Sequence, residues 1–352
     1  MSSGRADPAA AARRATITDV ARLAEVSTAT VDRVLNGRAG VKSRTSVRVL
    51  QAAAELGYVD GSDERARQAA PKAQIVFILP EGTNRYLAML GRMITEMTPH
   101  FERLSLRPTV ETIRSFNPEL LSKALHKHAK TAAGIAFMGI EHPSVREAVN
   151  RIAASGVPVV TLISDVASPG RTAYLGLDNR AAGRMAGYLL ARFITRRPAK
   201  VAMIAGSLGY RAHGEREMGF LDLLQEEHPG IEVVGLREGQ DDEGLNYRQM
   251  RMLLSQHPDL AGIYNIGGGA SGIGRALKDA RREKEIVFVG HGLTPDTRDY
   301  LVDGTMDAVI TQSAEDTVRR CAAVFSDMRA GRPADPALSP LRIEVVFREN
   351  LP

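Results

Sequence analysis

Three observations predict an α/β protein carrying a small all-α headpiece. Residues 16–58 hold three short runs of helical periodicity. From Gln74 onward, short apolar runs alternate with amphipathic stretches, the pattern of parallel strands joined by helices. These runs are too many for one comfortable sheet in the remaining chain. Two similar doubly wound lobes are therefore expected, with a ligand taken where strand carboxyl ends face each other across a cleft.

In the headpiece, Val20, Ala21, Leu23 and Ala24 make one apolar helical face, and Val31, Val34 and Leu35 make a second. Ser27 stands between them as an N-cap, its hydroxyl able to accept from amides the first turn leaves unpaired. A third helix is expected from near Ser43, with Val47, Leu50, Ala53, Ala54 and Leu56 at helical spacing, until Gly57 stops it. Two helices joined tightly form a helix-turn-helix, whose second helix can enter the DNA major groove. Packing the apolar faces leaves Thr28, Ala29, Asp32, Arg33 and Asn36 pointing outward. Charge agrees with that orientation. From 13 to 48, Arg13, Arg14, Arg22, Arg33, Arg38, Lys42, Arg44 and Arg48 stand against only Asp19, Glu25 and Asp32, a footprint suited to phosphate contact. The competing reading is a three-helix protein-interaction module.

Thr16 to Tyr58, with its Thr-x-x-Asp-Val-Ala start, Val-Ser-x-x-Thr-Val centre and closing Leu-x-Tyr, closely resembles the headpiece of the lac repressor (LacI/GalR) family. The resemblance implies that Thr28, Ala29 and Arg33 read bases, and that Thr18, Ser27, Thr30, Asn36 and Thr45 hold the DNA backbone, with Thr16 and Tyr58 beside them. Arg33 can offer a bidentate pair to a guanine edge, and Ala29 can touch only a thymine methyl. Two positions depart from the family pattern. Glu25 stands where the interhelical turn usually has Gly, and it tolerates a positive φ poorly. Lys42 replaces the usual hydroxyl cap of the third helix, leaving Ser43 to cap it.

A disordered tail is expected over residues 1–15, the headpiece over 16–60, a hinge over 61–73 and an effector-binding, dimerising core over 74–352. The hinge is polar and ends at Pro71. In the family it folds as a minor-groove helix with a wedged leucine; here Arg67 occupies about that place. Either the operator is bent less, or Arg is used in a narrow groove.

The chain has 352 residues, a net charge of +5 and a single cysteine, Cys321. The lone thiol rules out a disulfide framework and suits a reducing cytosol. No apolar run approaches the roughly 20 residues a membrane-spanning helix needs, and the N-terminus lacks the apolar core of a signal peptide. A cytoplasmic, nucleoid-associated protein is expected.

Candidate strands in the core are Ile75 to Leu79, Gly134 to Met138, Pro158 to Ile163, Lys200 to Ala205, Ala261 to Ile266, Ile286 to Val289, Ala308 to Thr311 and Ile343 to Phe347. Amphipathic helices are expected over Leu87 to Met97, Val145 to Ala154, Ala181 to Phe193, Arg216 to Glu227 and Asp316 to Met328. Segments such as 80–86, 156–161, 176–184, 215–220, 289–292 and 310–312 resemble, in order, the periplasmic sugar-binding proteins of the ribose-binding type. They thus also resemble the effector core of the same repressor family. That resemblance implies an N-lobe of about 74–177 and 311–337 and a C-lobe of about 178–310 and 338–352. It also implies that Tyr86 stacks on a sugar or polyol, Arg216 grips its hydroxyls, and Gln312 sits at the interlobe crossover. Asp165 and Asp178 are the nearest carboxylates to accept from hydroxyls, Asp178 equally well being a helix N-cap. The family's Asp after Val-Gly is Gly292 here, and its Asn-Asp reads Asn265-Ile266. His291 and Asn265 are therefore the candidate polar contacts of that lobe.

Gly268 to Gly274 follows a strand and opens a helix, like the glycine motif of NAD(P)-dependent short-chain dehydrogenases. That alternative lacks a downstream Tyr-x-x-x-Lys and an acidic residue after Val289. The glycines are instead expected to let a helix pack close to the sheet and to leave room in the cleft. His126 and His128, two apart on a helix, point apart and suggest no metal site. No catalytic residues and no cofactor are expected. The function implied is a ligand-responsive regulator of transcription, a repressor binding a palindromic operator as a homodimer, with no Leu heptads for a tetramer.

Overall fold

The computed structural model describes residues 15–35, 41, 43–56, 58, 72–114, 116–334 and 339–352. It divides into two compact units, 1–72 and 73–352. The expected tail, Arg67 and nearly all of the hinge lie outside the described residues, as do Asn36, Arg38 and Lys42.

The first unit consists of α1 (Ile17–Leu23), α2 (Thr28–Leu35) and α3 (Ser43–Glu55). Val20, Ala21, Ala24, Val31, Val49, Ala52 and Ala53 form its core. Two expected core leucines are not in it: Leu23 is 46% exposed and Leu50 is 49% exposed. At about 100° per residue, Leu23 falls roughly 60° from Val20 on the side away from Ala21 and Ala24. Leu50 similarly turns away from the Val49–Ala53 stripe. Small residues fill these helix contacts and bring the three short helices close. Glu25 adopts φ 51° in the turn, the left-handed conformation that favours Gly. Ser43 is the first residue of α3; the expectation about Lys42 lies outside the described residues.

The second unit begins with β1 (Ala73–Glu81), α4 (Arg85–Glu96), α5 (Thr98–Arg103), β2 (Leu106–Arg114), α6 (Pro118–His128), β3 (Gly134–Phe137), α7 (Pro143–Ala154), β4 (Val159–Leu162) and β5 (Ala173–Leu175). These strands form a parallel sheet in the order β2-β1-β3-β4-β5. Then follow α8 (Asn179–Phe193), β6 (Ala199–Ala205), α9 (Arg211–Glu227), β7 (Ile231–Glu238), α10 (Glu243–Gln256), β8 (Leu260–Asn265), α11 (Ala270–Asp279), β9 (Val287–His291), α12 (Pro295–Asp303) and β10 (Ala308–Thr311). After α13 (Ala314–Arg329) comes β11 (Glu344–Val346). The second sheet runs β11-β10-β9-β8-β6-β7, with only β11 antiparallel. Ile75 to Leu79 of β1 are all buried, as a parallel strand covered on both faces requires.

Sequence patterning misses β2, β5 and β7. All three are sheet edges. Their exposed sides carry polar residues such as Arg107, Glu111, Glu232 and Arg237, which interrupt the apolar run. The chain changes sheets at Gln312: β10 belongs to the second, yet Val318, Cys321, Ala322 and Phe325 of α13 pack into the core of the first. Burial pushes the Cys321 thiol well up, so it is an inert core residue.

Candidate functional site

In the headpiece, Thr16 and Asp19 form a capping box at α1: Thr16 N donates to Asp19 Oδ2 at 2.9 Å. Ser27 caps α2, its Oγ accepting from Thr30 N at 3.1 Å and meeting Thr30 Oγ1 at 2.8 Å. With Val31 buried, Thr28, Ala29 and Arg33 share the exposed side of α2. Thr18 is exposed on α1, and Thr45 is half-buried on α3. Tyr58 is half-buried against the headpiece core, anchored by its amide to Ala53 O at 3.0 Å.

The second unit has a cleft where the carboxyl ends of its two sheets meet, enclosing about 70 Å³. On one wall, Thr83 to Leu87 lead into α4, joined by Met138 and Ile163. Asn84 caps α4 by accepting from Leu87 N at 3.2 Å. On the other wall are His213 and Arg216 from α9, Gly267 to Ala270, and His291 with Gly292. The walls touch. Asn84 Nδ2 donates to Asp241 Oδ2 at 2.8 Å, Thr83 Oγ1 to Asp241 O at 2.6 Å, and Arg85 pairs with Asp296 at 2.6 Å. This is a closed arrangement.

Arg216 is only 7% exposed. It sits there because α8 and α9 cross at paired glycines; a Cβ at Gly183 would lie 2.0 Å from Arg216 O, and one at Gly219 2.0 Å from Arg180 O. Its Nε donates to Asn179 Oδ1 at 2.8 Å and its Nη1 to Ile266 O at 2.9 Å. Asn179 is held in turn by Tyr174, whose hydroxyl donates to Ile163 O at 3.0 Å. Burial lowers the Arg216 pKa, opposed by the nearby tyrosines and Asp241, so the fold keeps a desolvated cation here. Burial also lowers His213, to about 4, with Asp241 opposing and Arg216 assisting. His291 is driven well down by burial, then by Arg216 and His213. Both imidazoles are neutral at pH 7. His213 Nδ1 meets Ser207 O at 2.9 Å, and His291 Nε2 meets the Tyr264 hydroxyl at 2.7 Å. Tyr264 in turn stacks on Phe220 at 4.9 Å.

Of the residues singled out for a ligand, the structure brings Tyr86, Arg216, His291 and Gln312 together in the cleft. Tyr86 OH donates to Gln312 O at 3.2 Å, and burial raises its pKa well above the usual phenol value. The other three stand elsewhere. Asp165 is committed to Arg171 at 2.8 Å and to the Thr161 hydroxyl at 2.6 Å. Asp178 is exposed and caps α8, accepting from Ala181 N at 2.9 Å. Asn265 is buried beneath the cleft, its Nδ2 tying down Gly267 O at 3.1 Å and Gly268 O at 3.2 Å. Sequence reasoning missed Asn84 and Asn179, although both fall inside segments that resemble sugar binders. It also missed Asp241 and His213. Asp241 follows the unforeseen edge strand β7 in a turn where Gln240 and Asp241 have φ 51° and 54°; nothing local marks it.

The glycine-rich turn has a structural explanation. Gly269 has φ 71° at the start of α11, and Gly268 N donates to Asp241 Oδ1 at 2.6 Å. A Cβ at Gly272 would meet Glu243 O at 2.0 Å and one at Gly274 the Tyr300 ring at 2.2 Å. The close packing is thus against α10 and α12, not against the sheet. His128 Nε2 meets Glu111 at 2.5 Å, a bond to an edge strand. No cluster of three possible metal ligands occurs among the described residues. None of the described helices is long and apolar enough to cross a membrane.

Residues 16–60 match the family described as bacterial regulatory proteins, lacI family, and residues 119–333 match the periplasmic binding protein domain. The chain belongs to the lacI family of bacterial regulatory proteins. Its periplasmic-binding-protein core is the two-sheet unit described above. Catabolite control protein A of Staphylococcus xylosus is 25% identical over 267 residues, 75% of this chain and 78% of that one. Its counterpart in Staphylococcus aureus (strain MRSA252) is 26% identical over 210 residues, 59% of this chain and 61% of its own length. Among solved structures, GanP, a glucose-galactose binding protein from Geobacillus stearothermophilus, superposes with a TM-score of 0.72 at 25% identity, covering 80% of this chain and 99% of GanP. A putative LacI transcriptional regulator from Bacteroides fragilis gives 0.71 at 18% identity over 79% of this chain and 98% of that one, a likeness of fold. The lacI-family relatives are regulators, and the dehydrogenase alternative finds no support in them.

Proposed function

We propose that this lacI-family regulator is a repressor that binds a palindromic operator as a homodimer and responds to a sugar or polyol held in the core cleft. One observation carries the reading: a single chain joins a helix-turn-helix with exposed Thr28, Ala29 and Arg33 to a closed cleft around buried Arg216. In this reading those three side chains read bases. Thr16, Thr18, Ser27, Thr30, Asn36, Thr45 and Tyr58 hold the phosphates, and two-fold symmetry sets two recognition helices one helical turn apart. Residues 74–177 with 311–337, and 178–310 with 338–352, are the lobes whose relative orientation the effector changes. Coupling of about 1–3 kcal/mol would alter operator affinity roughly 5- to 150-fold. The protein works in the cytoplasm, on the nucleoid. GanP, a glucose-galactose binding protein, and the staphylococcal catabolite control proteins point the same way.

Selection of bound sequences from a random duplex pool by the full-length protein tests the reading. A two-fold symmetric consensus should emerge, and Arg33→Ala should flatten it by about 1–3 kcal/mol per half-site position. Binding without any sequence preference, steeply salt-dependent, would instead indicate an architectural DNA binder.

A further inference from the structure

The two sheets also meet through one aromatic side chain. Among residues 178–310, Tyr210 alone belongs to the apolar core of the first sheet. It stands in the loop between β6 and α9 of the second and is 1% exposed. Its ring fills a socket among Ile78, Pro80, Phe116, Leu121, Met138 and Ile140, leaving about 10 Å³ empty, and lies 5.3 Å from the Phe116 ring at 58°. The backbone is pinned on both sides: Glu141 N donates to Gly209 O at 2.9 Å, and Ala212 N to the Ser164 hydroxyl at 3.4 Å. The receiving side holds strained backbone. Phe116 has φ 59°, and Ile163, beside Ser164, has φ 63°, values rare for bulky and β-branched residues. Strain of this kind persists where the surroundings over-determine it, and it gathers at clamps and switches. On its other side the Tyr210 ring meets His213 edge-on at 5.6 Å, and His213 lines the cleft.

Resting on the lobe movement read above, we propose that Tyr210 is an apolar latch. Seated in the socket of the first lobe, its ring holds the core closed without an effector, and the cleft opens only as the ring withdraws. Withdrawal uncovers the ring and the apolar socket together, so water opposes it. The edge contact with His213 ties the latch to the cleft wall.

Spin labels on the two lobes test this in the unliganded full-length protein. Ala154→Cys on α7 and Gln225→Cys on α9 are exposed sites, and the native Cys321 thiol is buried, so labels attach at the introduced positions. Dilution with unlabelled protein keeps the measured distance within one chain. Wild type and Tyr210→Phe should give one closed distance, because the ring does the holding. Tyr210→Ala should populate a second, open distance at least about tenfold above wild type. A folded Tyr210→Ala protein with a lower melting point but an unchanged distance makes Tyr210 ordinary core packing and overturns the latch. Should Tyr210→Ala not fold, Phe116→Ala empties the socket from the opposite side and decides in the same way. Asp241→Ala separates the latch from the reading beneath it. If that variant opens the core and neither socket variant does, the latch falls and lobe movement stands; if none of the three opens it, both fall.

Discussion

The two walls of the cleft are built in different ways. The wall on the side of the first sheet is mostly one contiguous stretch, Thr83 to Leu87, backed by apolar Met138 and Ile163, and its side chains bond to neighbours close in sequence or straight across the gap. The facing wall brings His213 and Arg216 of α9 together with His291 from the end of β9, and each is buried or half-buried and tied to a second layer. The first wall supplies shape and closure. The second supplies fixed donors in a desolvated setting, where a missing partner costs most. Selectivity therefore belongs to the second wall.

Backbone spacing offers the harshest way to break this contrast. Gly183 lies under Arg216 where α8 crosses α9, and an added Cβ would be 2.0 Å from a backbone oxygen. Gly91 of α4 supports the other wall, and there an added Cβ meets Leu79 Cδ1 at 3.5 Å, an ordinary contact. Gly183→Ala should cost about 3 kcal/mol or more, since helix backbones must separate. Gly91→Ala should gain up to about 1 kcal/mol from helix propensity. Thermal melts of the two variants check this, and equal effects would erase the asymmetry.

Acid should sharpen the contrast, because it attacks one wall only. His213 is held near 4 in the folded protein, against an ordinary 6.5. The unfolded chain therefore binds a proton that the native state refuses. Stability contributed by the neutral imidazole is present above about pH 6.5 and is lost as pH falls toward 4. Between pH 7 and pH 5 this amounts to about 2 kcal/mol, with His291 adding in the same direction. A His213→Gln protein should show a flatter melting profile over that range; an unchanged slope would place the acid sensitivity elsewhere.

The same contrast governs what could be read without coordinates. Both resemblances were carried by contiguous segments: residues 16–58 gave the headpiece, and 80–86 gave Tyr86. Central strands were legible because burial on both faces leaves an unbroken apolar run. Edge strands β2 and β7 were not, because solvent on one side admits Arg107, Glu111 and Arg237. Arg216 and Gln312 were found through local motifs. Among the carboxylates, the N-cap alternative for Asp178 was legible from the helix that follows it, whereas the apolar pattern does not tell that Asp165 belongs to Arg171 or that Asp241 reaches Asn84. The Asn84–Asp241 partnership spans 157 residues and is set by topology, of which local periodicity carries no trace.

The gentlest test concerns the rim, where the two walls join by charge. Arg85 lies 2.6 Å from Asp296 and 3.8 Å from Glu243, with its side chain 53% exposed. Solvent screens such a pair, so Arg85→Ala should change the melting stability by less than about 1 kcal/mol, and by less still in high salt. Its larger consequence should be on closure. The internal bridges from Thr83 and Asn84 to Asp241 are neutral donors on a buried carboxylate and backbone oxygen; they remain in the variant. Small-angle scattering of the unliganded protein should then show a radius of gyration within error of wild type for Arg85→Ala and a larger one for Asp241→Ala. If the Arg85 variant opens as far as the Asp241 variant, the rim charges hold the walls together, and the buried carboxylate loses the role assigned to it.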